Sequence, residues 1–240
     1  MIFESYYEKV VKILDKIKTT QSKKISDAAE MVAKTIEDDG IIYIFGCGHS
    51  HLIALDCFYR AGGLANVSAM LDTDLMLHNG AAKSSKMEKM SGIAEAVLDR
   101  YCLTEKDVLI TISTSGKNAV PCEMAATASE RGIRNISVVS GAYFDDKTSS
   151  PKLYECSDIY IDNCVPHGDA VMDITGSDVK MGSVSTAASS FILQAVLMEA
   201  AEKAAQNGAE PPIYKSGNVD GGAEYNKALI QKYLPRIKHL

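Results

Sequence analysis

The spacing of apolar residues predicts helices at the N-terminus, followed by strands and helices in alternation. Two amphipathic helical faces come first, and the second ends near Gly40. Their apolar positions are Tyr6, Val10, Ile13, Leu14 and Ile17 in the first face, and Ile25, Ala29, Val32 and Ile36 in the second. The pattern therefore predicts an N-terminal helical hairpin over residues 1–39.

Five short apolar runs follow, as expected for strands that are buried on both faces. The predicted strands are residues 41–45, 65–71, 108–112, 136–139 and 159–161. Helical spacing recurs at residues 50–61, 117–131 and 183–205, and residues 78–100 are predicted as loop followed by helix. This alternation favours the α/β class, with a doubly wound parallel five-stranded sheet flanked by helices. A length of 240 residues fits a single domain, with a C-terminal loop plus helix at residues 206–240.

Composition and charge narrow the functional classes. The chain is 46% hydrophobic and 23% charged, and its 25 basic and 31 acidic residues give a net charge of −6. It has no basic arm, so a nucleic-acid partner is not expected. The N-terminus lacks the basic start and apolar stretch of a signal peptide, and no run of about 18 apolar residues occurs. We therefore expect a cytoplasmic protein without a membrane partner.

The six cysteines do not form a recognisable framework. No Cys-x-x-Cys pair occurs, and the spacing matches neither a zinc site nor a set of disulfides. We interpret most of them as reduced core residues. Cys47 lies in a glycine-rich turn where a thiol pKa can be lowered, although a small residue that fits a tight turn is the favoured interpretation. No metal or other cofactor is expected.

The serine turn, residues 113–118, is the strongest chemical signal in the chain. It reads Ser-Thr-Ser-Gly-Lys-Asn and follows a predicted strand. Gly116 lets the backbone approach a ligand closely, and the helix that follows is expected to present unpaired N–H groups. The pattern predicts a site for a small phosphorylated molecule. The alternative is that Ser113 and Ser115 cap the helix.

The glycine turn, residues 46–51, is the second candidate for ligand binding. It reads Gly-Cys-Gly-His-Ser-His after the first predicted strand, and parallel sheets bind ligands beyond the carboxyl ends of their strands. The third glycine of a Gly-x-Gly-x-x-Gly loop is replaced by His51, and no Walker-type Gly-Lys-Ser/Thr segment occurs. A nucleotide cofactor is therefore not expected.

The chain resembles the sugar isomerase (SIS) family, whose domain carries a Ser-x-Ser-Gly phosphate motif, here residues 113–116. Phosphoheptose isomerases look closest: their Ile-Ser-Thr-Ser-Gly stands at residues 112–116, and their Val-Pro-His at residues 165–167. The resemblance covers about residues 28–205. It implies a flavodoxin-like three-layer sandwich that binds a phosphosugar without a metal.

The resemblance also implies which residues bind the ligand. The phosphate would be held by Ser113, Thr114, Ser115 and Asn118 of the serine turn, with Ser50 of the glycine turn as a further donor. Additional substrate contacts are predicted for Gly48, His49, Gly116 and Lys117. A phosphate dianion favours several such donors, and each charge-assisted hydrogen bond contributes about 1.5–3 kcal/mol.

Isomerisation needs a base that removes a proton next to a carbonyl. Several family members use a Glu in a Gly-x-Glu stretch ahead of the late helix, and Asp178 holds that position here. Asp178 is therefore the predicted base, with a cap or loop position as the alternative. Phosphoheptose isomerases carry a Glu where Arg60 stands and a catalytic His where Ser185 stands. These departures argue against sedoheptulose 7-phosphate as the substrate.

Histidines supply candidate acids, because an imidazole exchanges protons near neutral pH. His49, His51, His78 and His167 all follow predicted strands. We predict acid–base or ring-opening roles for His78 and His167, with His49 next. For each single histidine the alternative is a hydrogen-bonded structural residue.

The late helix at residues 183–205 is apolar almost all round, which indicates a helical interface between subunits. SIS proteins assemble as dimers or tetramers, so the resemblance implies a homodimer or homotetramer. The polar loop at residues 208–222 is long for a compact domain, and Lys215 and Asn218 are secondary site candidates.

The sequence thus predicts a phosphosugar-binding SIS protein, and our first interpretation is an aldose–ketose sugar-phosphate isomerase that acts through an enediolate. One alternative is an etherase of the same family, which removes a lactyl ether from an amino sugar phosphate. The other is a regulatory module that binds a phosphosugar without catalysis.

Overall fold

A five-stranded parallel sheet forms the middle layer of the protein. The computed structural model describes residues 1–147 and 151–240. The strands there are β1 (Ile42–Gly46), β2 (Val67–Met70), β3 (Val108–Ile112), β4 (Arg134–Val139) and β5 (Ile159–Asp162), in the order β2-β1-β3-β4-β5. All neighbouring strands are parallel. The predicted α/β fold class is confirmed, and each predicted strand overlaps an observed one.

Helices cover both faces of this sheet. They are α1 (Ile2–Glu37), α2 (His51–Cys57), α3 (Ala81–Met87), α4 (Ile93–Asp99), α5 (Ala119–Glu130), α6 (Ser185–Gln206) and α7 (Gly222–Tyr233). One face packs against α1, α2 and α6, and the other against α4, α5 and α7. Because side chains alternate along a strand, Ile42 and Ile44 enter the first core and Tyr43 and Phe45 the second. No helix in the described ranges is long and apolar enough to cross a membrane.

One continuous helix replaces the predicted N-terminal hairpin, so the hairpin at residues 1–39 is wrong. Helix α1 runs unbroken from Ile2 to Glu37. The polar stretch between the two apolar faces contains neither Gly nor Pro, and its hydroxyls fit a helix: Thr20 donates to the Lys16 carbonyl at 2.8 Å. The fully buried residues of α1 begin at Ile17, whereas Tyr6, Val10, Ile13 and Leu14 pack on the first core from partly buried positions.

Two further segments differ from the sequence-based expectation. The helix predicted at residues 50–61 ends at Cys57, because Phe58 is extended and Tyr59 has a positive φ of 47°. Residues 78–100 contain two short helices, α3 and α4, where a loop and one helix were predicted. Short helices of this kind lack enough turns to give a clear period in the sequence.

An antiparallel hairpin that was not predicted joins β5 to α6. Its strands are β6 (Ala170–Met172) and β7 (Met181–Ser183). The hairpin packs on the N-terminal part of α1, where the Tyr6 hydroxyl donates to the Ser183 carbonyl at 2.8 Å. Gly182 is needed at this contact, because its φ is +81° and a Cβ there would lie 3.1 Å from the Tyr6 ring.

The C-terminal segment is the predicted loop followed by the predicted helix. The loop is anchored to the edge of the fold by an antiparallel bridge between Leu64 and Ile213. Tyr214 adds two backbone hydrogen bonds there, from its N–H to the Gly63 carbonyl at 2.9 Å and from the Gly62 N–H to its own carbonyl at 2.8 Å. Helix α7 then packs through Tyr233 against the second core.

Asp107 ties the beginnings of β1 and β3 together. Its buried carboxylate accepts the Ile41 N–H at 2.6 Å with one oxygen. The other oxygen accepts the Thr104 N–H at 2.7 Å and the Thr104 hydroxyl at 2.9 Å. Charge-assisted bonds to buried N–H groups are among the stronger polar contacts in proteins.

We expect Asp107→Ala to lower the free energy of unfolding by about 1.5–3 kcal/mol, because the buried Ile41 N–H loses its charged acceptor. Urea denaturation followed by circular dichroism measures this change. Asp99→Ala is the matched control: Asp99 pairs with Arg131 at the surface, and such a pair contributes less than about 1 kcal/mol. Equal effects of the two substitutions would contradict the role assigned to Asp107.

Candidate functional site

The glycine turn and the serine turn lie side by side at the carboxyl edge of the sheet. Strands β1 and β3 are neighbours, and Gly46 at the end of β1 pairs with Ile112 at the end of β3. In the sheet, β2 lies on the far side of β1 and β4 lies on the far side of β3. The chain therefore leaves β1 and β3 in opposite directions. Such a switch point opens a crevice between two strand ends, and α/β proteins bind ligands there.

The serine turn makes a tight bend at Gly116. Gly116 adopts a φ of +59°, and its N–H donates to the Ser113 hydroxyl oxygen at 3.2 Å. Ser113 is buried, whereas Thr114, Ser115 and Lys117 are partly exposed. The capping alternative is wrong: α5 begins at Ala119, and its N-cap is Asn118 rather than Ser113 or Ser115.

The start of α5 contributes fewer free N–H groups than expected. The Val120 N–H donates to the Glu88 carbonyl at 3.0 Å, and Pro121 has no N–H to offer. The donors available to an anion are therefore those of the turn itself rather than those of the helix. Thr114 and Ser115 supply hydroxyls and backbone N–H groups close together, whereas the Gly116 N–H is already donated to Ser113.

Glu88 is a carboxylate at the site that the sequence did not reveal. It follows α3, and its Oε1 accepts a hydrogen bond from the Asn118 Nδ2 at 2.8 Å. Burial raises the pKa of Glu88 above its ordinary value. On the other side, burial and the nearby charges of Glu88 and Asp72 raise the pKa of the Cys47 thiol. Glu88 thus lies between the two turns, and the thiol pKa of Cys47 is raised rather than lowered in the glycine turn.

Three histidines lie at the glycine turn: His49 and His51 belong to it, and His78 contacts His51. A Cβ on Gly46 would lie 2.6 Å from the Ser50 carbonyl carbon, so only glycine allows one turn of 3₁₀ helix at Gly48–Ser50. Among these residues His49 is exposed and Ser50 is partly exposed. The ring of His51 is buried and meets the ring of His78 edge to face, with centroids 5.0 Å apart.

A charged cluster joins the serine turn to the ends of β4 and β5. The Lys117 ammonium binds the Asp146 carboxylate at 2.6 Å, and the His167 Nε2 lies 3.6 Å from the same oxygen. The His167 ring stacks on Tyr143 with centroids 4.3 Å apart. Lys117, and then His167, hold the pKa of Asp146 below its usual value. The predicted residues Lys117 and His167 are therefore brought together, through an aspartate that was not predicted.

Asp178 is placed apart from these groups. It lies exposed in the turn between β6 and β7, where the Ser177 hydroxyl and the Val179 backbone bond to each other. Within the ranges that the structure describes, no hydrogen bond or ion pair links Asp178 to either turn. Its catalytic role stays a prediction.

Two other features limit what we assign to the candidate site. The described residues contain no group of three His, Cys, Asp or Glu side chains arranged to hold a metal ion. A cavity of about 540 Å³ lies between Tyr43, Tyr101 and Arg236, near the amino ends of β1 and β3. It is at the opposite edge of the sheet from the two turns, so we do not assign it to the candidate site.

Sequence comparisons agree with this architecture. The SIS domain family profile matches residues 5–140. The chain is 39% identical over 246 aligned positions to a UPF0309 protein of Caldanaerobacter subterraneus subsp. tengcongensis, with 100% of both chains covered. It is 41% identical over 237 positions to a UPF0309 protein of Halalkalibacterium halodurans, covering 97% of this chain and 95% of the relative.

Solved structures with a similar fold include two phosphoheptose isomerases. The enzyme from Neisseria gonorrhoeae superposes with a TM-score of 0.54 at 18% identity, covering 85% of this chain and 97% of that one. The enzyme from Francisella tularensis gives a TM-score of 0.53 at 16% identity, covering 83% and 96%. Identity this low shows a shared fold and not a shared activity. The profile match extends over more than half of the 240 residues, and the chain therefore belongs to the SIS domain family, alongside the UPF0309 proteins.

Proposed function

We propose that this SIS domain protein is an aldose–ketose isomerase of a sugar phosphate and acts through an enediolate. The observation that carries the proposal is the position of Glu88, a partly buried carboxylate bonded to Asn118 of the serine turn. An anion cradle and a candidate base thus share one crevice. The phosphoheptose isomerases with the same fold make a phosphosugar the natural ligand class.

The serine turn binds the phosphate in this proposal. Its hydroxyls and backbone N–H groups provide several neutral donors, and each hydrogen bond to a phosphate contributes about 1.5–3 kcal/mol. Lys117 adds a positive charge from within the turn, and Asn118 holds Glu88 at a fixed position. In the proposal, the sugar contacts the glycine turn, on the other side of the crevice from the serine turn, through Gly48, His49 and Ser50.

Glu88 acts as the base that removes the proton next to the carbonyl. Burial raises its pKa, which makes it a stronger base than an exposed glutamate, and a base with a pKa nearer the working pH transfers protons more effectively. This assignment replaces Asp178 as our first candidate, because Asp178 has no described contact with either turn.

The histidines serve ring opening and the return of the proton. His78 lies beside the glycine turn through its contact with His51, on the same side of the serine turn as Glu88. His167 lies on the other side and shares Asp146 with Lys117. His78 is therefore the nearer candidate for chemistry at the carbonyl end, and His167 for the phosphate end.

Proton exchange next to the carbonyl tests the proposed reaction. We expect a sugar phosphate that is incubated with the wild-type protein in deuterated water to acquire deuterium at the carbon next to its carbonyl. Proton NMR over a panel of aldose and ketose phosphates measures this exchange. Glu88→Gln should lower the exchange rate by about 10²–10⁴-fold, as expected when a general base is lost.

Asp178→Asn is the matched control and should retain exchange. If Asp178→Asn abolishes exchange while Glu88→Gln does not, the base is Asp178 and our assignment is wrong. Release of lactate from a lactyl amino sugar phosphate would instead indicate the etherase reaction. Tight binding without any exchange would indicate a regulatory module and contradict both enzymatic interpretations.

Substitution of Ser115 tests the proposed phosphate contact. Ser115→Ala should raise KM for the phosphosugar by about tenfold or more with little change in kcat, because a hydrogen bond to a charged group contributes about 1.5–3 kcal/mol to substrate and transition state alike. Steady-state kinetics measure the two constants. Ser129→Ala is the control, since Ser129 lies at the other end of α5 and bonds to the Cys156 carbonyl. An unchanged KM in Ser115→Ala would place the phosphate elsewhere.

The raised pKa of Glu88 also makes the stability of the protein depend on pH. Because the pKa of Glu88 is raised in the folded protein, its ionisation costs folding free energy as the pH rises above the unfolded value near 4.3. Glu88→Gln should therefore melt at a higher temperature than wild type at pH 7, and the difference should vanish below about pH 4.

Differential scanning calorimetry across this pH range measures the effect, with Glu105→Gln at an exposed loop position as the control. A Glu88→Gln variant that is less stable than wild type at pH 7 would contradict the cost of burial that we assign to this carboxylate. Greater stability together with lost exchange would be the pattern expected of a catalytic group that is costly to bury.

A further inference from the structure

The buried imidazole of His51 has a fixed tautomer. The side chain is only 1% exposed, and its Nδ1 bonds to the Gly48 carbonyl within the glycine turn. A carbonyl oxygen can only accept, so Nδ1 carries the hydrogen. The ring also stays neutral, because burial and then the nearby His78 and His49 lower the pKa of His51. Its Nε2 is therefore a lone pair that can only accept a hydrogen bond.

This acceptor is buried without a partner among the described residues. A buried polar atom that lacks its hydrogen bond costs about 1–3 kcal/mol, and proteins rarely retain one without a reason. The other histidines of the crevice are exposed, so His51 differs from them in being both fixed and buried. Its position under the glycine turn points to a role in the site rather than in the core.

The ring nearest to His51 is that of His78. The centroids are 5.0 Å apart and the planes meet at 69°, so one ring presents its edge to the face of the other. His78 is exposed and lies in one turn of 3₁₀ helix, Leu77–Asn79, which ends at Gly80 with a φ of +116°. A short segment that ends at glycine can reorient His78 by a small backbone rotation.

We infer that His51 is a positioning residue for His78: its Nε2 accepts a hydrogen bond from a ring N–H of His78 when a ligand occupies the crevice. The inference rests on the role of His78 in the proposed function. With one His78 nitrogen committed as a donor to His51, the other nitrogen of the neutral ring is a lone pair that faces the ligand.

The fixed tautomer has a definite use in opening a sugar ring. His78 takes the proton of the anomeric hydroxyl at its free nitrogen and becomes an imidazolium. The anomeric carbon–oxygen pair becomes the carbonyl as the bond to the ring oxygen breaks, and His78 returns the proton to that ring oxygen. The His51 hydrogen bond persists throughout, because the donating N–H is present in both protonation states.

Two substitutions of His51 separate its two nitrogens. Asn places an amide near the position of Nδ1, so His51→Asn keeps a donor for the Gly48 carbonyl and removes the acceptor near His78. Gln places an amide oxygen near the position of Nε2, so His51→Gln keeps that acceptor. Far-UV circular dichroism and urea denaturation establish that both full-length variants are folded.

The direct readout is the tautomer of His78, from two-dimensional ¹H–¹⁵N NMR of histidine-labelled protein with inorganic sulfate as the probe. We expect one dominant His78 tautomer in wild type and in His51→Gln, and a mixture in His51→Asn. An unchanged tautomer in His51→Asn would overturn the inference. A mixture already present in sulfate-bound wild type would overturn it as well.

A reciprocal variant keeps the test decisive if a His51 substitution fails to fold. His78→Ala changes only an exposed side chain, so the fold should persist. We expect the ¹⁵N resonance of the His51 Nε2 in the sulfate-bound protein to move toward that of a free lone pair when the His78 donor is removed. No movement would overturn the inference.

Kinetics complete the comparison. His51→Asn should lower kcat by about tenfold or more at nearly constant KM, the size of effect seen when an orienting partner of a functional histidine is lost, and His51→Gln should recover most of it. The two proposals can fail separately. A fixed His78 tautomer without deuterium exchange in the wild type would contradict the isomerase activity. Exchange with a mixed His78 tautomer would contradict only the His51–His78 hydrogen bond.

Discussion

The parallel pairing of β1 with β3 is the contact on which both the fold and the candidate site depend. Both strands are buried along their whole length between the two helical layers. Their register sets Gly46 against Ile112, so the glycine turn and the serine turn leave the sheet at the same height. At the amino edge, Asp107 bonds to Ile41 and holds this register. A slip of one residue would separate the turns and exchange the two cores.

The site formed at this pairing contains two groups that are unfavourable for stability. Glu88 has a raised pKa because it is withdrawn from water, and the neutral His51 ring has an acceptor with no partner in the part of the chain that the structure describes. Neither group supports the core, and each lies within reach of a turn that could contact a ligand. Perturbed groups cluster at functional sites for this reason, and their coincidence here is why we propose catalysis rather than passive binding.

Local sequence patterns predicted the sheet and the serine turn, because both arise from contiguous residues. The apolar run at residues 108–112 and the hydroxyls that follow it are legible without knowledge of contacts. Glu88 was missed because its importance comes from distant partners: Asn118 bonds to its side chain and Val120 to its carbonyl. Nothing within residues 86–90 distinguishes it from a surface glutamate. Conversely, the change of polarity near Thr20 looked like a break in a helix, although α1 runs through it without interruption.

The strand order divides the chemistry around the serine turn. Glu88, His51 and His78 gather on the β1 side, whereas Lys117, Asp146 and His167 gather on the β4 and β5 side. A sugar anchored by its phosphate at β3 can extend its reactive end toward only one of them. The β1 side carries a carboxylate of raised pKa and an imidazole, which are the base and acid that isomerisation needs. On the other side the Asp146 carboxylate is paired with Lys117 and its pKa is held low, so it is a weaker base than Glu88. In the proposed isomerase, the carbonyl end of the sugar therefore lies beside Glu88 and His78 rather than beside Asp146.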